Sequence, residues 1–224
     1  MRTKLLGRGP AMAATFLALL AVPSAASAAT VSLWHMDETS GSTMADSVGA
    51  NNGTLSNVGL GQAGFQNLGY AFNGAGSIVT VPSSTSLNPG SAAFVVTAHV
   101  NTTTIPPGDS ADVVRKGVDA TSSRYWKMEI RPTLTRSKAR VRCYFRGSSG
   151  IASVSATPNV ADGAWHTLQC VKRAASVSAV VDATTKTKSI RVGSISNTAP
   201  LTVGAKSPSE DFYAGLMDEL SFAR

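Results

Sequence analysis

The sequence has little of what most catalytic and metal sites are built from. Its 224 residues include 2 cysteines and 3 histidines, and 15% of them are charged. No Gly-x-Ser-x-Gly motif is present, which argues against a serine hydrolase with a nucleophile elbow. Two cysteines without a neighbouring histidine or a third thiol do not have the ligand spacing of a zinc site. Beyond one short apolar run near the start, no stretch is apolar enough to predict a membrane-spanning helix.

The first 28 residues have the pattern of a secretory signal peptide. A basic front precedes the short apolar run at 11–22, and Ala26-Ser27-Ala28 is a small-x-small cleavage site. We therefore predict a signal peptide at 1–28, export from the cell, and a mature protein at 29–224 that forms one domain. No cysteine stands at the cleavage site, so a lipid anchor is not predicted.

The charge balance predicts a mild preference for acidic partners. Three basic residues and no acids lie in 1–28, so the net charge of +7 falls to +4 for the remainder. That excess is too small to indicate a nucleic-acid-binding protein. In an extracellular setting, an anionic surface or polysaccharide fits it better.

The two cysteines predict one disulfide. In an exported protein, Cys143 and Cys170 are most simply paired with each other. The bond would close a loop of 27 residues, which lowers the entropy of the unfolded chain and contributes about 3 to 4 kcal/mol. The alternative is a metal-binding pair, for which no third ligand is nearby.

The remaining pattern is that of an all-β protein. Short alternating runs rich in Val, Thr and Ser are separated by Gly-containing turns, as in a β-sandwich or barrel. Alternation also assigns faces, because successive side chains of a strand point to opposite sides. In ARVRCYFRG, for example, Val141, Cys143 and Phe145 are predicted to point inward.

Four blocks of sequence carry a family resemblance. They are WHMDETSGSTMADSVGANNGTL, YAFNGAGSIVTVPSSTSLNPG, DGAWHTLQCVKR and APLTVGAKSPSEDFYAGLMDELSFAR. In this order they resemble a laminin G-like, concanavalin A-like lectin/glucanase domain, although Met36 stands where the family often has Phe. The resemblance covers nearly all of 29–224. It implies a jelly-roll β-sandwich of two antiparallel sheets.

The resemblance leaves three functions open, because this fold carries lectins, interaction modules and glycanases. Glycanases of this fold have a Glu-x-Asp-x-x-Glu strand that places acids on one face, and the sequence lacks it. We therefore expect a secreted, non-catalytic module that binds carbohydrate or a cell-surface glycan. The alternatives are a protein-interaction or structural module without a sugar ligand, and a glycoside hydrolase of this fold.

The outward faces of two strands supply the predicted ligand site. If RYWKMEIR and ARVRCYFRG are neighbours, their outward side chains form a basic patch with two aromatic rings, to which Arg131 and Arg140 also belong. The candidate ligand residues of this patch are Tyr125, Lys127, Arg142, Tyr144 and Arg146. Rings stack on sugars, and arginine forks hold carboxylates or sulfates. The alternative is a solvated sheet face with ordinary edge charges. A loop with Phe212 and Tyr213 is a second candidate.

Two acids give a possible calcium site. Glu38 alternates with Trp34 and Met36, and Asp218 alternates with Leu216, Leu220 and Phe222, so each acid is predicted to be in line with apolar residues. A carboxylate in such a position needs a partner. First and last strands pair in the family's fold, which predicts that Glu38 and Asp218 meet at the rim, where a structural calcium would join them. The alternative is that each acid accepts backbone hydrogen bonds.

Overall fold

The part of the chain that the structure describes forms sixteen β-strands. The computed structural model describes residues 28–118 and 121–224, so the predicted signal peptide lies almost entirely outside the described residues. The strands are β1 Thr30–Trp34, β2 Thr43–Met44, β3 Gly53–Ser56, β4 Gly59–Ala63, β5 Leu68–Asn73, β6 Ile78–Val81, β7 Phe94–Asn101, β8 Ala111–Lys116, β9 Tyr125–Pro132, β10 Ala139–Arg146, β11 Ile151–Ser155, β12 Trp165–Lys172, β13 Ser176–Val181, β14 Thr184–Ser189, β15 Leu201–Val203 and β16 Ala214–Ala223. A short 3₁₀ helix spans Thr85–Leu87.

The strands form two antiparallel sheets. The first sheet has the order β14-β13-β12-β7-β16-β5-β4, and β1 also pairs with β16. The second has the order β11-β10-β9-β8-β15-β6-β3-β2. This is the predicted sandwich, including the pairing of first and last strands. No helix in the described part of the chain is long and apolar enough to cross a membrane.

The core lies between the sheets and is rich in stacked rings. Trp126 of the second sheet packs between Phe94 and Phe222 of the first, with ring centroids 5.6 and 6.0 Å away. Trp34 is fully buried, and its indole N–H donates to the carbonyl oxygen of Asn51 at 2.8 Å. The inward faces of the strands therefore supply one shared apolar interior.

The predicted disulfide is confirmed, and it links the two sheets. Cys143 lies in β10 of the second sheet and Cys170 in β12 of the first, with their Cα atoms 5.5 Å apart. Both residues are fully buried. Both strands alternate regularly, so both cysteine side chains point into the space between the sheets, where the two sulfurs meet.

Two local conformations break the alternation that the sequence predicts. β1 ends at Trp34, and Met36 has a φ of 60°, so Glu38 does not continue a strand. In β16, the register with β7 shifts between Asp218 and Ser221, and Glu219 has a φ of 47°. This β-bulge puts Asp218 on the outer face of the sheet. Its predicted alignment with Leu220 and Phe222 was therefore wrong.

Candidate functional site

The predicted basic patch is assembled on the outer face of the second sheet. β9 and β10 pair along their whole length, which places Lys127 opposite Tyr144 and Tyr125 opposite Arg146. Arg142 lies opposite Glu129 in the same ladder. The five residues named from the sequence thus share one surface, because cross-strand neighbours of a sheet face lie within contact distance.

The two tyrosines of this surface stack on each other. Tyr125 and Tyr144 have ring centroids 5.2 Å apart and an interplanar angle of 17°. Tyr125 is 5% exposed, and the guanidinium of Arg115 lies 5.7 Å from its ring centre. Tyr144 is half-buried. Of the two rings predicted to meet a ligand, Tyr144 is therefore the more accessible.

Buried acids neutralise part of the positive charge. Glu129 is fully buried and contacts both the Lys127 ammonium and the Arg142 guanidinium. Asp112 of β8, also buried, lies opposite Glu129 and accepts a 2.7 Å ion-pair contact from Arg115. None of Glu129, Asp112 and Arg115 is among the residues predicted for this surface. Asp112 and Arg115 are three residues apart in ADVVRK, a spacing that regular alternation puts on opposite faces. The register shift between Asp112 and Val114 brings them together, so the sequence pattern did not reveal the pair.

The Asp112 and Glu129 pair has the electrostatics, but not the access, of a hydrolytic site. Burial raises the pKa of Asp112 to about 6, although Lys127 and Arg115 act to lower it. A raised pKa beside a second carboxylate is the arrangement of a glycosidase acid and nucleophile. Both residues are 0% exposed, however, so a glycan cannot reach them in this conformation.

Three arginines of this sheet face line a groove at one end of the patch. Arg131, Arg140 and Arg142 surround a depression of about 290 Å³, which we call the arginine groove; its other lining residues are Pro132, Leu134 and Ser155. Arg131 lies 3.9 Å from Glu129 and Arg142 contacts it directly. Arg140 has no ion-pair partner within 28–118 and 121–224. The groove therefore keeps uncompensated positive charge.

The second candidate loop contributes a core residue instead of a surface aromatic. Tyr213 is fully buried, and its hydroxyl donates to the Leu216 carbonyl oxygen at 2.9 Å. Phe212 is half-buried and lines a cavity of about 290 Å³ with Ile130 and Ala111. The expectation that both rings are displayed by one loop was wrong for Tyr213, because the chain turns into β16 directly after it.

Glu38 and Asp218 each accept hydrogen bonds from the protein. The Glu38 carboxylate accepts from the Ala45 N–H at 2.8 Å and from the Tyr70 hydroxyl. Asp218 accepts 2.8 Å bonds from the N–H groups of Gln66 and Glu219. Burial raises the pKa of Asp218, against the lowering effect of these bonds. Where the structure describes the chain, no three acids, histidines or cysteines form a metal-holding group.

Calcium binding by Glu38 and Asp218 stays a prediction, which melting curves test. An ion that binds only the folded protein stabilises it by mass action. If calcium binds, adding it should raise the melting temperature, and Asp218→Asn should abolish the rise. If neither calcium nor a chelator changes the wild-type melting temperature, the calcium prediction is wrong. Hydrogen bonds from the protein would then be the partners of Glu38 and Asp218.

A family model and several solved structures match this chain. The model described as "Concanavalin A-like lectin/glucanases superfamily" matches residues 73–223. No curated protein matches the sequence. Domain 4 of AbnA, a GH43 extracellular arabinanase from Geobacillus stearothermophilus solved with arabinotriose, matches at a TM-score of 0.62 and 15% identity. That match covers 88% of this chain and 93% of that domain.

Two further structures have the same fold. The binding domain of Paraclostridial Mosquitocidal Protein 1 matches at a TM-score of 0.63 and 13% identity over 87% of this chain. The chain spans about half of that domain, 48% of its length. Domains LG4-5 of the mouse laminin alpha1 chain match at a TM-score of 0.50 and 14% identity, covering 67% of this chain and 42% of that one.

Proposed function

Because the chain belongs to the concanavalin A-like lectin/glucanases superfamily, we propose that it is an exported, non-catalytic module that binds an anionic glycan. The proposed site is the arginine groove with the adjacent ring of Tyr144. An inter-sheet disulfide supports export, since such bonds persist in oxidising compartments outside the cytosol.

The arginine groove is the observation that carries the proposal. Guanidinium groups form paired hydrogen bonds with carboxylates and sulfates, which are the acidic groups of anionic polysaccharides. Arg140 lines the groove and has no ion-pair partner in the described part of the chain. Tyr144 adds an aromatic ring on the same face of β10, four residues after Arg140. Rings of this kind stack on sugars.

The comparisons support a carbohydrate as the ligand. The arabinanase domain with the same fold was solved with arabinotriose, and it is a domain of nearly the same extent as this chain. The toxin neighbour is a binding domain. Protein interaction is the second candidate, and the observation in its favour is Leu134, a fully exposed apolar side chain at the rim of the groove.

Binding to heparin and to polygalacturonate tests the groove. We expect the wild-type protein to bind at least one of these sulfated or carboxylated chains with an affinity that falls as salt rises. Arg140→Ala should weaken that binding about tenfold, because a charged hydrogen bond contributes about 1.5 kcal/mol or more. The melting temperature should not change, since Arg140 is half-exposed and unpaired.

Arg173→Ala is the matched control. Arg173 is an exposed arginine in the β12–β13 turn of the other sheet. The Arg173→Ala variant should bind both polysaccharides with the affinity of the wild type. Equal losses in the two variants would mean that net charge and not the groove governs binding. If neither polysaccharide binds the wild type and Leu134→Ala abolishes a protein contact, the module recognises protein instead.

A further inference from the structure

Three rings form a cluster on the outer face of the first sheet. Phe65, at the tip of the β4–β5 hairpin, stacks on His99 of β7 with centroids 4.0 Å apart and an interplanar angle of 20°. Trp165 of β12 meets Phe65 edge-on at 6.1 Å. We call these three residues the aromatic platform. It lies on the opposite side of the sandwich from the arginine groove, because the two belong to the outer faces of different sheets.

Phe65 remains open to solvent although His99 covers one side of its ring. Its side chain is 44% exposed, which makes it one of few large apolar side chains at the surface. An exposed ring backed by a second ring offers a flat apolar area of the kind on which the C–H groups of a sugar pack.

The hairpin that carries Phe65 is held firmly. The Gln66 N–H donates to Asp218 at 2.8 Å, and the Leu68 N–H donates to Asp37 at 3.0 Å. The turn is also tight, because a Cβ on Gly64 would lie 2.2 Å from the Leu68 carbonyl oxygen. The ring is therefore positioned before a ligand arrives, and binding need not order it.

The charges around the platform are negative. Asp182, Asp218 and Glu219 all act electrostatically on His99. Burial lowers the pKa of His99, against the raising effect of these acids. Its Nδ1 has no hydrogen-bond partner among the described residues. Two of these acids are hydrogen-bonded to histidines, Glu219 to His35 at 2.7 Å and Asp182 to His166 at 2.8 Å. The three platform residues include no lysine or arginine, so the platform itself has no guanidinium or ammonium group to pair with an anionic ligand.

Polar side chains flank the exposed ring. Gln66 and Asn67 follow Phe65 directly, and both are exposed. Amide groups donate and accept hydrogen bonds, which suits hydroxyl groups that also do both. A flat apolar surface with amides at its margin is the combination that orients an uncharged, hydroxyl-rich ligand.

We propose that the aromatic platform binds an uncharged sugar residue, which stacks on Phe65 and hydrogen-bonds to Gln66 and Asn67. This second site differs from the arginine groove in its sheet, its charge and its ligand class. It also gives Asp218 and Asp37 a role: they fix the backbone that presents the stacking ring.

Titration calorimetry with maltotriose, cellotriose, xylotriose and mannotriose tests the proposal. At least one of these neutral trisaccharides should bind the wild-type protein. Phe65→Leu keeps an apolar side chain but removes the flat ring, and it should raise the Kd at least about tenfold. Phe65→Trp should retain binding to within about threefold. Melting curves should show that both variants are folded, since Phe65 lies outside the core.

Two results would overturn the proposal. The first is that none of the four trisaccharides binds the wild-type protein. The second is that the Phe65→Leu variant binds with wild-type affinity. Arg140→Ala separates this site from the groove, because it should leave trisaccharide binding unchanged while weakening heparin or polygalacturonate binding. If Arg140→Ala abolishes trisaccharide binding, the neutral sugar sits in the groove and the platform has no ligand of its own.

Discussion

Replacing Glu129 by Gln should destabilise the protein by about 3 to 5 kcal/mol, the cost of breaking a buried ion pair by removing one partner. Glu129 is fully buried and is the shared contact of Lys127 and Arg142. Without it, Asp112 is the remaining acid near Lys127, at 3.6 Å. The side chain of Lys127 is only 12% exposed, so water solvates its ammonium group poorly once the carboxylate is gone.

Urea denaturation measures this loss, and Glu210→Gln is its control. Glu210 also contacts a lysine, Lys206, but its own side chain is 54% exposed. Exposed pairs contribute about 0 to 1 kcal/mol, so the control should unfold near the wild-type midpoint. If the two glutamine variants lose equal stability, the buried ion pairs of Glu129 stabilise the fold no more than the exposed pair of Glu210 does. Adding Arg142→Gln to Glu129→Gln should recover part of the loss, because it removes one of the unpaired cations.

Removing the disulfide should cost about 3 to 4 kcal/mol, since a cross-link over 27 residues restricts the unfolded chain. For a domain of this size, that lowers the melting temperature by roughly 10 °C. The bond joins β10 to β12, so its loss also removes the covalent connection between the sheets. Cys143→Ala with Cys170→Ala is the variant to measure by thermal unfolding.

Cys143→Ala alone provides the comparison. Either single replacement breaks the same cross-link, so single and double variants should lose similar stability if the cross-link is the cause. A double variant much less stable than the single one would indicate lost core volume instead. Two free thiols per chain in a denaturing, non-reducing titration of the exported wild type would contradict the bond itself.

The sequence predicted most where strands are regular. β10 alternates without interruption, so the inward Cys143 and the outward Arg142 and Tyr144 were assigned correctly. Asp218 was misassigned because the bulge at Glu219 reverses the faces of β16. Alternation has a fixed period of two, and a single extra residue leaves no mark on composition.

The candidate sites depended on contacts between distant segments. The burial of Tyr125 follows from stacking on Tyr144 of the neighbouring strand and from Arg115 of β8, which no local pattern shows. Phe65 was missed because it stands in GQAGFQNLG, which is typical of a solvent loop. Its partners His99 and Trp165 are 34 and 100 residues away in the chain.

The position of β16 determines when the sandwich can form during synthesis. β16 pairs with β7, β5 and β1. These three strands are synthesised earlier, and their hydrogen-bond partners in β16 exist only after Ala214–Ala223 has been translated. A nascent chain that lacks this segment has a first sheet split at its centre. Pairing across such sequence separations is slow. The first sheet is therefore completed late in synthesis, and a chain truncated before Ala214 would lack the strand that joins the β7 side of this sheet to β5 and β1.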